Sequence, residues 1–191
     1  MRTIWLLLCC VVICFGAACT QTASFDNREE RGIAANAASK QMIPQMPPPI
    51  ADCVFCQIVA GTRPSFNPSF KVFEDDVVIA ILDANPLMTG HTLVIPKAHY
   101  ATVMETPPEV LAAVGSRIPA ITRAVLAATD TQACHILTNN RPEAMQSVFH
   151  LHFHILPRKA GDTFRIPWNA GRLDKDAATT LAENIRAKLA E

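Results

Sequence analysis

Two hydrophobic periods alternate along this chain, and each change of period marks an element. Short apolar runs near Lys71 to Glu74, Val77 to Leu82 and Thr92 to Pro96 read as strands, preceded by a helical turn beginning at Cys53. The segment Thr106-Pro-Pro-Glu109 reads as a helix start, since proline suits a first turn whose N–H groups have no partner. Val110, Leu111, Val114, Ile118, Ile121, Val125 and Leu126 then recur at helical spacing, and Pro119 is expected to kink or divide that helix. Cys134 to Thr138 resumes as a strand. Ser147 to Arg158 alternates with period two, which places His150, His152 and His154 on one face and Phe149, Leu151, Phe153 and Ile155 on the other. From Asp174 to Leu189, Ala178, Leu181, Ile185 and Leu189 form one helical stripe, expected to pack on the domain or on a second subunit. This order predicts an α+β domain, an antiparallel sheet with helices on one side, and no internal repeat.

The sequence is divided into a leader (1–19), a linker (20–50), a domain (51–160) and a C-terminal extension (161–191). Arg2, the apolar run Ile4 to Phe15 and the small residues Gly16-Ala-Ala before Cys19 read as an export signal, too short for an ordinary membrane span. Cys19 resembles a bacterial lipoprotein cleavage site, although Gly16 stands where a leucine is usual; ordinary cleavage or an uncleaved anchor remain alternatives. The linker is polar and ends in Pro47-Pro-Pro, which suits an extended spacer. An exported protein, periplasmic or tethered to a membrane only through its N-terminus, is therefore expected. Seventeen basic residues balance seventeen acidic ones, which gives no electrostatic reason to expect nucleic acid as a partner. Four of the seven cysteines lie in the leader; the three others, Cys53, Cys56 and Cys134, do not make a disulfide framework.

Three imidazoles threaded through one apolar strand are costly unless each has a task, because buried polar groups need partners. One metal ion cannot use all three: at about 3.3 Å per residue, His150 and His154 stand roughly 13 Å apart along a strand, while zinc bonds are about 2 Å. The rings must divide their work. Cys53-Val-Phe-Cys56 and His99, with one strand histidine, supply a Cys2His2 set for zinc. The C-x-x-C pair taken alone equally fits a disulfide, a thiol redox pair or inert thiols, although its setting after a Pro-rich segment is unlike that of a redox motif.

The stretch Asn139 to Arg158 resembles the signature of the histidine triad superfamily. Cys53-Val-Phe-Cys56-Gln-Ile-Val, Phe73-Glu-Asp-Asp76, Ala80-Ile-Leu-Asp83 and Gly90 to His99 fall in that family's order. The likeness runs from about Asp52 to Arg158 and is strongest to bacterial zinc-carrying members, whose metal site is similar to that of galactose-1-phosphate uridylyltransferases. It implies transfer of a nucleotidyl group to His152, with His154 and His91 on the phosphate oxygens and His150 joining Cys53, Cys56 and His99 on structural zinc. It also implies Asp83 on the ribose, Phe55 and Ala84 along the base, and Asn139, Gln146 and Ser147 around phosphate and leaving group. Homodimers that continue the sheet across two subunits are common in the family. Phosphoramidates, dinucleoside polyphosphates and nucleotide sugars all present the required α-phosphoryl group.

Plainer roles stand beside these. Asp83 before Ala-Asn-Pro also suits a turn, Phe55 a core, Asn139 a turn, and Gln146 and Ser147 an exposed strand. The chain also departs from the family by carrying Arg141 and Met145 where glycines are usual in the phosphate-side loop, from which a reshaped loop is expected. Arg141 also offers a donor fork for an acidic leaving group. Two further function classes remain: a noncatalytic nucleotide-binding or zinc-dependent interaction module, and a periplasmic thiol oxidoreductase built on Cys53 and Cys56.

Overall fold

The computed structural model describes residues 47–191 apart from 168. The leader and most of the linker lie outside the described residues. A short helix α1 (Val54–Val59) is followed by strands β1 (Lys71–Glu74), β2 (Val78–Leu82) and β3 (Thr92–Pro96). Two helices, α2 (Pro108–Gly115) and α3 (Ile118–Ala128), lead to β4 (Ala133–Leu137), β5 (Phe153–Arg158) and a final helix α4 (Lys175–Leu189). The five strands form one antiparallel sheet in the order β1-β2-β3-β5-β4.

The first four residues of β2 and the whole of β3 are buried, so the sheet needs cover on both faces. Val78, Ala80, Val94 and Ile155 project to one face and meet Val110 and Val114 of α2 and Ile121 and Val125 of α3. Ile79, Ile81, Leu93 and Ile95 project to the other and meet Phe55 and Ile58 of α1. The expectation of helices on one side therefore holds for α2 and α3, while α1 caps the opposite face. His154 pairs with Leu93 across β3 and β5, which puts it on the α1 face.

Pro119 divides the helix as expected. It sits in the first turn of α3, where its missing N–H costs nothing, and the break falls at Ser116 and Arg117. Arg117 reaches back across the fold to Asp75, Nε to Oδ2 at 2.8 Å. The other Asp75 oxygen accepts the Val77 and Val78 N–H groups at 2.8 Å each, locking the turn between β1 and β2. Burial pushes the Asp75 carboxyl up, but the Arg117 guanidinium and the two N–H donors outweigh it and hold it below the usual range.

Beyond β5, Arg158 binds Asp162 (2.8 Å) and lies over the Phe164 ring, which ties down the start of the C-terminal extension. The α4 stripe does not pack on the domain: Leu181, Ile185 and Leu189 are exposed and no α4 residue is buried. The helix is instead held locally, by Asp174 capping the Ala177 N–H at its start and by Arg186 and Lys188 in its last turn.

Candidate active site

The histidine segment is not one continuous strand. Only Phe153–Arg158 enters the ladder; His150 lies in a bend before it and His152 in irregular backbone. That approach is pinned from elsewhere: the Leu151 N–H donates to the Tyr100 carbonyl at 2.6 Å, and the His150 N–H to Val148 at 2.8 Å. Because Ser147 to Leu151 never join the sheet, the alternation fails at its start, and Phe149 is exposed rather than packed. It holds where the ladder begins. Leu151 and Ile155 are buried, and His152 and His154 lie with ring centroids 4.8 Å apart.

His150 turns away from its two neighbours toward α1. Its Nδ1 lies 3.4 Å from Cys53 Sγ, 3.6 Å from Cys56 Sγ and 3.2 Å from His99 Nδ1, and Cys56 Sγ is 3.3 Å from His99 Nδ1. Bonds of about 2.0–2.3 Å arranged tetrahedrally separate their donor atoms by roughly 3.3–3.7 Å, so this set fits a Cys2His2 zinc site. His150 Nε2–H donates to the Pro96 carbonyl at 2.8 Å, which leaves the Nδ1 lone pair aimed at the set. The thiols face ring nitrogens and are not bonded to each other. His150 is fully buried, and burial, helped by the neighbouring His99 and His152, pushes its pKa down to about 4 against the opposing pull of the Pro96 carbonyl. Burial also raises the Cys56 thiol.

His152 Nδ1–H donates to the His150 carbonyl at 2.7 Å. The tautomer is thereby set, and Nε2 keeps its lone pair. Phe55 meets the His152 ring edge to face at 5.0 Å and the His150 ring at 5.9 Å. It is 6% exposed and belongs to the core beneath the histidines, so its bracing of the rings is the role the geometry shows. Burial is the main cause that holds His91, His152 and His154 below the ordinary imidazole value, with His154 at about 4; Asp83 pulls all three the other way and is outweighed.

Asp83 divides its oxygens. One accepts the Asn85 N–H at 2.8 Å, which makes the turn its position suggested, and the other stands 3.5 Å from His91 Nε2. Ala84 is exposed beside it. Gly90 places His91: its φ is +82°, and a Cβ there would meet Thr129 Cγ2 at 2.4 Å, so only glycine fits.

The phosphate-side loop keeps the backbone that glycines would permit. Arg141 has φ 74° and ψ 163°, and Met145 lies in the left-handed region at φ 64°. The bulky residues are accommodated at positive φ, and the loop carries strain there. Gln146 explains how the strain is held. Its Oε1 accepts the Arg141 N–H at 2.7 Å, and its Nε2 donates to the Ala101 carbonyl at 2.6 Å. Gln146 is buried, not the exposed strand residue of the plainer expectation, whereas Ser147 is exposed and Asn139 makes only a long 3.5 Å contact to the Met145 carbonyl. Arg141 points to solvent with Glu105 at 3.8 Å. Asn140, which the motif did not single out, accepts the Val103 N–H at 2.8 Å and joins this loop to the segment before α2. An open groove of about 590 Å³ bordered by Pro49, Ile50, Gln57 and Arg63 reaches Cys56 but none of His91, His152 or His154.

The sheet, the split-duty histidines and the Cys2His2 set define a histidine triad domain, and comparison agrees: residues 65–161 match the HIT domain. The chain belongs to the histidine triad family. It is 44% identical over 135 residues to adenylylsulfatase HINT3 of Arabidopsis thaliana, a match that covers 69% of this chain and 66% of that relative. Among solved structures, a Streptococcus mutans protein superposes with a TM-score of 0.70 at 40% identity, covering 81% of this chain and 96% of that one. A zinc-bound histidine triad family protein from Mycobacterium smegmatis gives a TM-score of 0.54 at 34% identity over 73% of this chain and 98% of that one.

Proposed function

We propose that this protein is a nucleotide hydrolase or nucleotidyltransferase that acts at an α-phosphate through a covalent intermediate on His152. The observation that carries the reading is the His152 hydrogen bond to its own segment's carbonyl, which leaves Nε2 of a buried, neutral ring unprotonated. The Nε2 lone pair forms the N–P bond as the bond to the leaving group breaks, and the leaving group takes that electron pair. Water then attacks phosphorus and the N–P bond's electrons return to Nε2; one water proton goes through solvent to the departed group, and the other stays with the nucleoside monophosphate. His154 stands next to the reacting ring, where a donor stabilises charge gathering on the phosphoryl oxygens.

The substrates belong to one class: nucleoside phosphoramidates, dinucleoside polyphosphates, nucleotide sugars and, after the adenylylsulfatase relative, adenylyl sulfate. Asp83, Ala84 and Phe55 are the candidates for the nucleoside side, and Asn139 and Ser147 for the phosphate and leaving-group side. Cys53, Cys56, His99 and His150 would hold a zinc ion whose contribution is structural, fixing the carbonyl that orients His152. The strained loop retains a glycine-like path, and this favours turnover over a silent binding module. To this reading also belong export by the leader, attachment at most through an N-terminal lipid on Cys19 or an N-terminal anchor, and pairing of two copies along a sheet edge, for which β4 is the candidate.

Substitution of His152 by Asn tests the reading. Turnover of an adenylyl phosphoramidate is expected to fall by at least about 1,000-fold with nucleotide affinity retained. Wild-type binding without turnover of any of the four substrate types would instead favour the interaction module.

A further inference from the structure

His91, Asp83 and His154 bring three potential metal-ligating atoms together beside His152: His91 Nε2 lies 2.8 Å from His154 Nδ1 and 3.5 Å from Asp83 Oδ2. The set has the composition of a cation site, but one hydrogen bond argues against it. The Leu87 backbone N–H donates to His91 Nδ1 at 3.2 Å. A neutral imidazole carries one proton and one lone pair on its ring nitrogens. With the Nδ1 lone pair taken, Nε2 bears the proton and has nothing to give a metal.

The same bond sets the neighbour. His91 Nε2–H has His154 Nδ1 as its nearest acceptor, so the His154 lone pair is occupied and its proton sits on Nε2. That His154 Nε2 is buried and has no partner among the described residues. An unsatisfied buried donor beside the nucleophile is a group waiting for an acceptor. His91 itself is 3% exposed and has both ring nitrogens engaged within the protein, which leaves it no free polar atom for a phosphate.

We infer that a backbone-to-imidazole relay, Leu87 N–H to His91 to His154, fixes the tautomer in which His154 presents Nε2–H to the transferring phosphoryl group. His154 acts as a neutral hydrogen-bond donor, a catalytic residue that loses no proton, and His91 is a positioning residue that acts through it rather than a phosphate ligand. Without the relay, His154 divides between two tautomers, and in one of them a lone pair faces the phosphoryl oxygens and repels them. This rests on the proposed reaction at His152 only for its functional consequence; the tautomer order is a property of the resting protein.

Histidine ¹⁵N shifts of the full-length protein read that order directly, without substrate. Nε2–H is expected for His91 and His154, and Nδ1–H for His152. Finding Nδ1–H on His154 overturns the inference whether or not the protein proves to be an enzyme. Kinetics of two variants with an adenylyl phosphoramidate provide the second arm. His91→Phe keeps a ring but no donor and is expected to lower kcat by about 100-fold with KM within about threefold, and to give mixed His154 tautomers. His91→Gln, whose amide can still donate to His154 Nδ1, is expected to recover at least tenfold of that loss. Equal kcat in His91→Phe and wild type, or equal loss in both variants with an unmixed His154, refutes the relay. Absence of wild-type turnover alongside the expected tautomers refutes the His152 reaction and, with it, the relay's catalytic role.

Discussion

At the scale of single residues, the site works by keeping imidazoles neutral while their tautomers are dictated by nearby backbone. For a histidine whose folded value lies below its unfolded one, the unfolded chain binds more protons in the interval between the two. Stability contributed by His91, His152 and His154 is therefore complete above about pH 6.5 and is lost as pH falls toward about 4, the value for His154. Urea midpoints of the zinc-loaded protein measured between pH 7.5 and 4.5 are expected to fall steadily below pH 6.5, and a midpoint that rises there would contradict neutral rings. Gln146 is the second residue whose contribution follows from its contacts. Replacing it by Ala strands the Arg141 N–H and the Ala101 carbonyl, and a cost of about 2–3 kcal/mol in chemical denaturation is expected. Part of this scale was legible in the sequence: spacing kept His152 and His154 together, the resemblance gave the three rings separate tasks, and His150 left the shared face that alternation assigned it. The Leu87 donor and the Gln146 clamp were not, because both depend on backbone groups brought together by loops that no period describes.

At the scale of elements, two local structures govern the chemistry, the strained loop at 139–147 and the α1 metal set. Arg141 occupies a backbone region that belongs almost to glycine alone, and Met145 a left-handed one. Arg141→Gly is expected to stabilise the fold by about 1 kcal/mol, which for this size raises Tm by about 2–4 °C; an unchanged or lower Tm would mean that no strain is held there. The metal set ties α1 to the start of the histidine segment from residues far apart in sequence. Cys53→Ser, or chelation of the wild-type protein, is expected to lower Tm and to increase exchange of the His150 and Leu151 amides, both measurable without substrate. The element boundaries explain what the pattern reading missed. Alternation continued through His150 in the sequence, but Val148 and Tyr100 capture the local N–H groups, so the ladder opens only at Phe153. The proline signal was local and therefore reliable, and the helix broke where Pro119 required it.

At the scale of the whole molecule, both faces of the sheet are filled, yet three surfaces still lack partners among the described residues: the outer edges of β1 and β4 and the apolar stripe of α4. An open strand edge favours pairing with a like edge, so sedimentation equilibrium is expected to return twice the chain mass; a monomer at micromolar concentration would contradict pairing along β4. Fold class was readable from element order, and the need for cover on both faces emerged only once β2 and β3 were seen to be central. The reading depends on an unprotonated His152 Nε2 taking up a phosphoryl group, and rapid acid quench of the intact protein with an activated adenylyl substrate, followed by mass spectrometry, is the decisive measurement. The account predicts an adenylyl mass increment localised to His152 and absent from His152→Asn; turnover with no adduct at any quench time, or with the increment on another residue, would contradict it.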